Sequence, residues 1–256
     1  MTRHLGPANG GGSGAQVFSD EDGIKFVVKF KENPQGLRVL ANELVSNKLG
    51  LYLEVPMPEG CVVDIPQEVI NLTPAIGSAR PTCPVTTGPH FGVRRLSDYW
   101  KTPPPGELSK IKNMDSVPGI FVFDLLTLNS DRKPEHLLLA KGDFDHAGRY
   151  VSAIDHGHCF GAPAWDVNIA QNVDRDNLQV IPGLMECVVG ATPFQTFIDR
   201  LRSLDRTTID TIINQIPADW GLSTAEMTAL ANFLEARKNR VEAILLNHRA
   251  QFPKWN

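Results

Sequence analysis

The sequence predicts an α+β fold with two lobes around a cleft: short antiparallel strands and one helix come first, and mainly helices follow. Short apolar strand patterns lie on either side of turn-forming segments in residues 15–30 and 137–155. Apolar residues recur every three or four positions in residues 34–50 and again from residue 223, as on one face of a helix. The length of 256 residues is close to the size at which a single core stops growing, which favours two lobes that share one site.

The composition is that of an ordinary globular protein, with 42% hydrophobic and 21% charged residues. A formal net charge of −4 gives no general attraction for nucleic acid or for an anionic membrane, so neither is an expected partner. We expect a cytoplasmic protein, because no apolar run approaches the roughly 20 residues that span a bilayer and the N-terminal residues lack the apolar core of a signal peptide. The 4 cysteines are scattered without a CxxC pair, so no disulfide is expected.

The first lobe begins with a glycine-rich segment. Residues 8–14, ANGGGSG, run directly into AQVFSD and IKFVVKF, two strand patterns joined by a turn, which makes the glycines a candidate phosphate-binding loop. A helix is predicted from residue 34 to Gly50, where the glycine would end it. LEVPMPEGCVVDI is typical of an extended segment, and GPHFGVRRL indicates a strand leading to the second lobe, whereas residues 66–90 have no assignable pattern.

The second lobe contains three recognisable elements. SVPGIFVFDLLTLN has the apolar density of a buried helix. HLLLA and YVSAID are predicted to form an antiparallel hairpin, with the polar turn KGDFDHAGR between them. A further helix is predicted from Ser223, because Ser-Thr-Ala-Glu forms a capping box and apolar residues keep helical spacing as far as Leu245.

Two charged residues of the first lobe are candidates for phosphate binding. Lys29 ends the apolar strand FVVK, so its ammonium group would be held rigidly where it can meet phosphate oxygens. Glu43 lies beside the apolar stripe of the following helix, close enough to pair with Lys29 and fix its direction. The alternative is a solvated lysine and an ordinary glutamate on a helix surface.

The segment LNSDRKPEHLLL holds the candidate catalytic group of the second lobe. Asp131 lies in a loop between a buried helix and a strand, as a base that positions an acceptor hydroxyl requires. His136 enters that strand and Asp155 lies at the far end of the same hairpin, so two carboxylates and a histidine would surround a cation. The alternative is a surface turn of Asn, Ser, Asp and Pro, with Asp155 capping a loop.

His156, His158 and Cys159 raise the further alternative of a structural zinc site, since imidazole and thiolate are the usual zinc ligands. Their spacing is poor for one site, because His158 and Cys159 would diverge on a continuing strand. Packing around a magnesium-binding turn is the simpler interpretation.

Taken together, these motifs resemble the HipA-like kinases of bacteria, a group that is similar to phosphatidylinositol kinases in its catalytic loop. The resemblance lies in GGGSGAQVFSDEDGIKFVVKF, GLRVLANELVSNKLGL with VPMPEG, FDLLTLNSDRKPEHLLL and IDHGHCFG, which cover residues 9–165 in pieces. It implies a two-lobed protein-kinase-like fold, with an antiparallel-sheet N-lobe in residues 1–92 and a mainly helical C-lobe in residues 93–256.

The resemblance also implies that ATP and Mg²⁺, or Mn²⁺ in its place, are cofactors. By this similarity Lys29 would hold the α- and β-phosphates, and Glu43 would orient Lys29. Asp131 would receive or position the acceptor proton, and Asp155 would bind magnesium. The segment that would cover the phosphates consists of Gly10, Gly11, Gly12, Ser13 and Gly14.

Two positions, 136 and 13, bear on catalysis and modification within this resemblance. His136 stands where the family usually has an asparagine that helps to hold a metal ion; a neutral imidazole can be a ligand but is softer than magnesium prefers. Ser13 stands where family members carry a serine that is modified.

Three functions are consistent with these features. The first is a serine/threonine-type protein kinase, with a protein as substrate. The second is a kinase of a lipid head group or small metabolite, and the third is a nucleotide-binding pseudokinase or scaffold, which His136 favours. The family's additional N-terminal subdomain does not fit ahead of the glycine-rich segment, so we expect an antitoxin-like or subdomain-supplying partner protein.

Overall fold

The computed structural model describes residues 1–8, 13–33, 35–73, 76, 84–101, 106–141, 148–161 and 165–256. In this part of the chain, an antiparallel sheet with one packed helix is followed by a mainly helical region that contains a small three-stranded sheet. The α+β prediction is therefore confirmed. No helix within these ranges combines the length and the apolar character needed to cross a membrane.

The N-terminal sheet has the strand order β1-β2-β3-β5-β4, and every neighbouring pair is antiparallel. Its strands are β1 Arg3–Pro7, β2 Gln16–Ser19, β3 Lys25–Lys29, β4 Gly60–Asp64 and β5 Pro89–Arg94. Strands β2 and β3 form the predicted hairpin, which their valines and phenylalanines favour. The register pairs Lys29 with Phe91 of β5, so the lysine lies at the end of a central strand.

One face of this sheet packs against the described residues of the segment between β4 and β5, where no element could be predicted. It contains the short helix α2, Gln67–Asn71. A small separate core is formed there by Phe18, Val28, Phe30, Val63, Ile65, Ile76 and Val85. Scattered apolar residues that show no local period are thus held in place by burial against the sheet.

His90 of β5 is fully buried beside this core, with its ring 5.4 Å from that of Phe30. Its Nδ1 accepts a hydrogen bond from the backbone N–H of Lys31 at 3.1 Å, and its Nε2–H donates to the carbonyl of Thr86 at 3.0 Å. Both bonds suit the neutral ring, and burial lowers the pKa of His90. The ring therefore stays uncharged at neutral pH.

The predicted helix of the first lobe is α1, Arg38–Tyr52, which continues past the expected end at Gly50. A Cβ atom at Gly50 would lie 2.1 Å from Cε of Met57 and 3.3 Å from Cε2 of Phe123. The glycine therefore allows these side chains to approach the helix closely, and it does not end the helix. The apolar stripe of α1 packs into the main core together with the second lobe.

The second lobe begins with β6 and a buried helix. Its elements are β6 Tyr99–Trp100, α3 Val117–Leu126, β7 Leu137–Lys141, β8 Arg149–Ala153, α4 Pro182–Met185, β9 Val189–Gly190, α5 Gln195–Ser203, α6 Arg206–Ile213, α7 Thr224–Lys238, α8 Val241–Asn247 and β10 Lys254–Trp255. Helix α3 is buried along its whole length, as its composition predicted. The predicted hairpin is β7–β8, with Leu137 opposite Ala153, and β6 pairs with β7 on the other side.

The C-terminal helical pattern is divided between two helices. The capping box of Ser223 and Glu226 starts α7 as predicted. The expected continuation to Leu245 is interrupted because α7 ends before Asn239 and α8 begins at Val241. The break lets apolar residues of both helices reach the same core.

Candidate active site

A cavity of about 400 Å³ lies between the N-terminal sheet and the β7–β8 hairpin. Apolar residues such as Val17, Val27 and Phe91 line part of it, and the ionisable residues Lys29, Glu43, His136 and Asp155 also contribute to its walls. An apolar cavity with a few converging polar groups is the usual form of a small-molecule site. The geometry of these polar groups therefore decides what the cavity can bind.

Lys29 lies between two carboxylates. Its Nζ is 2.7 Å from Oδ1 of Asp155 and also contacts Oε1 of Glu43. Burial by itself lowers the pKa of Lys29, but the charges of Glu43 and Asp155 outweigh this effect and raise the pKa above its usual value. The structure thus holds a permanent, rigidly placed cation in the cavity, in contrast to the alternative of a solvated lysine.

Glu43 is only 3% exposed and joins three elements of the fold. From α1 it contacts Lys29 of β3, and its Oε2 accepts a hydrogen bond from the backbone N–H of His156 at 3.1 Å. Burial raises the pKa of Glu43, whereas the charge of Lys29 acts in the opposite direction. The sequence predicted this pairing, but it did not predict that the carboxylate also fixes the chain after β8.

We call residues 154–157, directly after β8, the Asp155 turn. Asp155 has a φ of 62°, in the left-handed region that non-glycine residues rarely adopt. Burial would raise the pKa of Asp155, but the charge of Lys29 outweighs it and lowers the pKa below its usual value. The side chain is 38% exposed and remains a carboxylate that faces the cavity.

His136 ends the short 3₁₀-helix Pro134–His136, directly before β7. Its Nε2 lies 3.5 Å from Oδ2 of Asp155, and its buried Nδ1 has no hydrogen-bond partner among the described residues. Burial lowers the pKa of His136, so the ring is neutral at neutral pH. A carboxylate oxygen and a neutral imidazole this close together fit a divalent cation, with Mn²⁺ suiting the imidazole better than Mg²⁺ does.

Asp131 lies in a loop at residues 129–133, here called the Asp131 loop. Its backbone N–H donates to Oδ1 of Asn129 at 3.1 Å, and its carboxylate Oδ1 is 2.9 Å from Nζ of Lys133. We expected two carboxylates and a histidine around one cation. The described residues contain no group of three or more His, Cys, Asp or Glu side chains placed to hold a metal ion, so this arrangement is not formed among them. The Asp131 carboxylate pairs with Lys133 instead, which leaves Asp155 and His136 as the candidate ligands.

The zinc alternative finds no support in the surroundings of its residues. The His156 ring is 2% exposed and packs edge-on against Phe123, with 5.1 Å between the ring centroids. Burial raises the pKa of Cys159 to about 12, and its Sγ donates to the hydroxyl of Thr127 at 3.4 Å. Both side chains therefore serve as packing around the Asp155 turn.

The glycine-rich segment is described only in part. Gly10, Gly11 and Gly12 lie outside the described residues. Ser13 is 8% exposed and lines the cavity, and Gly14 follows with a φ of 61°. Only Gly adopts this left-handed conformation readily, which explains the residue type at position 14. The predicted role of this segment in covering phosphates stays a prediction.

A buried ion pair between α3 and the Asp131 loop was not predicted. Nε and Nη2 of Arg132 donate to the two carboxylate oxygens of Asp124 at 2.8 and 2.9 Å. Nη1 of Arg132 donates to the carbonyl of Ile154 at 2.8 Å, and Nδ2 of Asn129 donates to Asp124 at 2.8 Å. The pair thus connects α3, the Asp131 loop and the Asp155 turn. Its one signal in the sequence is a lone acidic residue within an otherwise apolar helix.

Arg237 of α7 extends this buried network. Its Nε donates to the carbonyl of Leu125 at 2.9 Å, and its Nη2 donates to Oδ1 of Asn177 at 2.9 Å. Nδ2 of Asn177 in turn donates to the carbonyls of Asp124 and Asn129 at 3.0 and 2.9 Å. Burial lowers the pKa of Arg237 to about 10, which still leaves the guanidinium charged at neutral pH.

Comparison with known proteins links this architecture to kinases. The family model of the HipA-like kinases matches residues 5–252. CtkA, a proinflammatory kinase of Helicobacter pylori, has a TM-score of 0.62 at 14% identity, over 94% of this chain and 93% of that chain. A Golgi casein kinase solved with Mn and ADP bound has a TM-score of 0.54 at 14% identity, over 96% of this chain and 73% of that chain.

A weaker likeness is to the HipA of Shewanella oneidensis MR-1, solved in a complex with HipB and operator DNA. Its TM-score is 0.47 at 13% identity, over 95% of this chain and 66% of that chain. No curated protein sequence shows significant similarity to this chain. The likeness to CtkA and to the Golgi casein kinase confirms the predicted two-lobed kinase fold.

Proposed function

Since the chain belongs to the HipA-like kinase family, we propose that it transfers the γ-phosphoryl group of ATP to a serine or threonine hydroxyl of a protein, with Mg²⁺ or Mn²⁺ as the metal ion. The observation that carries this proposal is the position of Lys29, held between the carboxylates of Glu43 and Asp155 in the cavity. Phosphoryl transfer requires positioning and charge neutralisation more than covalent help from the protein. A fixed cation beside a metal-binding carboxylate meets these two requirements.

Each polar residue then has a distinct role. Lys29 contacts phosphate oxygens, and Glu43 keeps its ammonium group pointed into the cavity. Asp155 and His136 hold the divalent cation, which when bound neutralises negative charge on the phosphates. Asp131 accepts the proton of the attacking hydroxyl, for which its loop position beside the cavity residue Lys133 is suitable.

The segment of Gly10, Gly11, Gly12, Ser13 and Gly14 covers the phosphates in this proposal. The cavity position of Ser13 supports this placement and also makes it a candidate for self-phosphorylation. The protein acceptor and an antitoxin-like or subdomain-supplying partner both come from the family resemblance. A lipid head group or small metabolite is the competing acceptor class, and a screen of peptide, lipid and metabolite acceptors separates them.

A nucleotide-binding pseudokinase is the second candidate function. The observation that favours it is His136, which places an imidazole against Asp155 where the family has an amide. If this ring displaces the metal ion or weakens its binding, nucleotide would still bind through Lys29 and the apolar walls of the cavity. Binding without turnover is the expected behaviour of such a protein.

The test combines ATP consumption with a thermal shift in ATP plus Mg²⁺ or Mn²⁺. Wild type should be stabilised by about 2.7 kcal/mol at a ligand concentration a hundredfold above the dissociation constant. Asp155→Ala should lose turnover, whereas Asp199→Ala, which removes only exposed contacts with Arg202 and Gln195, should keep it. Turnover that appears only in His136→Asn identifies a pseudokinase, and the absence of any nucleotide shift in wild type refutes the proposed function.

A further inference from the structure

Asn42, the neighbour of Glu43 on α1, is a polar side chain with no access to solvent. Its Nδ2 donates to the carbonyls of Gly157 and Cys159 at 2.8 and 3.1 Å. Its Oδ1 accepts a hydrogen bond from Nε1 of Trp165 at 2.7 Å. A fully buried amide needs partners of this kind, and these partners lie in the Asp155 turn, at Gly157, and on the chain just after it, at Cys159 and Trp165.

Two consecutive residues of α1 therefore hold this turn. Glu43 binds its N–H group at His156, and Asn42 binds its carbonyl group at Gly157. A Cβ atom at Gly157 would lie 2.8 Å from Cγ1 of Val39, so the turn lies directly against the helix. The left-handed backbone of Asp155 is unfavourable by itself and persists only where surrounding contacts fix it.

Trp165 is itself held by contacts that reach the C-terminal helices. Nε of Arg38 donates to the carbonyl of Trp165, and the guanidinium lies 5.3 Å from the centroid of the indole ring. Arg38 also pairs with Glu226, the capping-box residue at the start of α7. A continuous set of contacts thus runs from α7 through Arg38 and Trp165 to Asn42.

We propose that Asn42 is a positioning residue that holds the Asp155 turn in the geometry required for the divalent cation, and that Trp165 supports it. The inference rests on the proposed function, because it takes Asp155 as the metal ligand. The carboxamide is needed for its two N–H groups as well as its oxygen: an aspartate would turn an oxygen toward two carbonyls, and an alanine would leave all three partners unpaired. Loss of an outer-shell hydrogen bond lowers metal affinity about 10- to 100-fold, and Asn42 acts on Asp155 through the backbone of the turn at Gly157.

The experiment measures binding and needs no turnover. Purified full-length protein is titrated with Mn²⁺ at a fixed concentration of ADP, and the melting temperature is followed. Asn42→Ala should keep the shift produced by ADP without metal, because Lys29 and the apolar walls are unchanged. The Mn²⁺ concentration at half-maximal shift should rise about tenfold or more.

Asn113→Ala is the matched control. Asn113 also makes two hydrogen bonds through its amide, both at 2.9 Å and both to the backbone of Val151, but it does not touch the Asp155 turn. This variant should melt at a lower temperature with an unchanged Mn²⁺ midpoint. The comparison separates a loss of metal-site geometry from a general loss of stability.

Trp165→Phe keeps an aromatic side chain but replaces the indole with a smaller ring that has no N–H donor for Asn42. It should raise the Mn²⁺ midpoint by a smaller factor. If Asn42→Ala folds and its Mn²⁺ midpoint is unchanged, the inference is overturned while the proposed function stands. If Asn42→Ala does not fold, an unchanged Mn²⁺ midpoint in Trp165→Phe overturns the inference in the same way. If wild type shows no shift with ADP and Mn²⁺, the proposed function fails and the inference fails with it.

Discussion

Replacing Asp124 with asparagine tests whether the buried ion pair between Asp124 of α3 and Arg132 of the Asp131 loop is required for folding. The substitution keeps the shape of the side chain and removes its charge, so it creates no cavity. Arg132 would keep its hydrogen bonds to the carbonyls of His136 and Ile154, but its guanidinium would lose the compensating carboxylate. Burial by itself lowers the pKa of Arg132, and at present the charge of Asp124 outweighs that effect.

The size of the effect follows from burial. The side chains of Asp124 and Arg132 are only 5% and 2% exposed, so water cannot replace the lost partner. Breaking such a pair costs about 3–5 kcal/mol, out of a total free energy of unfolding of about 5–15 kcal/mol. We expect the melting temperature to fall by about 10 °C, because 1 kcal/mol corresponds to roughly 2–4 °C in a chain of this length.

The assay is urea unfolding followed by circular dichroism, together with thermal melting. The double variant Asp124→Asn/Arg132→Met removes both charges and should recover part of the loss. Asp199→Ala breaks a pair with Arg202 whose two side chains are more than half exposed, and it should cost less than about 1 kcal/mol. A decrease in the free energy of unfolding of less than about 1 kcal/mol in Asp124→Asn would refute the reasoning. A double variant no more stable than Asp124→Asn would refute it as well.

Three further predictions concern other parts of the molecule. The folded state holds His90 neutral, whereas the unfolded chain binds a proton there below about pH 6.5, so the free energy of unfolding falls as the pH decreases. His90→Gln should remove up to about 2 kcal/mol of the decrease in this free energy between pH 7 and 5. Urea unfolding at each pH measures this, with the partly exposed His158 changed to Gln as the control, and an unaltered pH dependence in His90→Gln contradicts it. Gly119→Ala should lower the free energy of unfolding by about 1–3 kcal/mol, because the added Cβ would lie within 2.7 Å of three ring atoms of Phe197. Adding Phe197→Leu should restore stability, and an absence of recovery in urea unfolding would rule out the clash as the cause. Incubation with ATP and Mg²⁺ should add phosphate to a peptide that contains Ser13 in wild type but not in Ser13→Ala, as measured by mass spectrometry, and an unmodified wild-type peptide counts against self-phosphorylation.

The parts of the fold that could be predicted are those with strong local patterns. The β2–β3 hairpin, the apolar stripe of α1, the uniformly apolar α3 and the capping box of α7 each leave a signal within a short stretch of sequence. The position of Lys29 next to Glu43 followed from two of these elements, because Lys29 ends an apolar strand and Glu43 lies beside the apolar stripe of the next helix.

The parts that could not be predicted depend on residues far apart in the chain. Arg237 occupies an ordinary place in a helical pattern, and only the folded chain brings it to Asn177, 60 residues earlier. Asn42 similarly looks like a polar residue on the side of a helix, although its partners follow it by more than 100 positions. Gly50 was misjudged because glycine commonly ends helices, whereas here it allows the close approach of Met57.

The packing of α1 has a consequence for how the two lobes move. Residues such as Leu40, Leu44 and Leu49 belong to the same continuous core as α3 and the C-terminal helices, whereas the far face of the sheet has its own small core. A cut after residue 92 would therefore split one hydrophobic core, and an isolated N-terminal fragment would expose the stripe of α1 to water. Opening of the cleft should accordingly be carried by the sheet bending over a stationary helix, and hydrogen exchange should be slower in α1 than in β1 and β2.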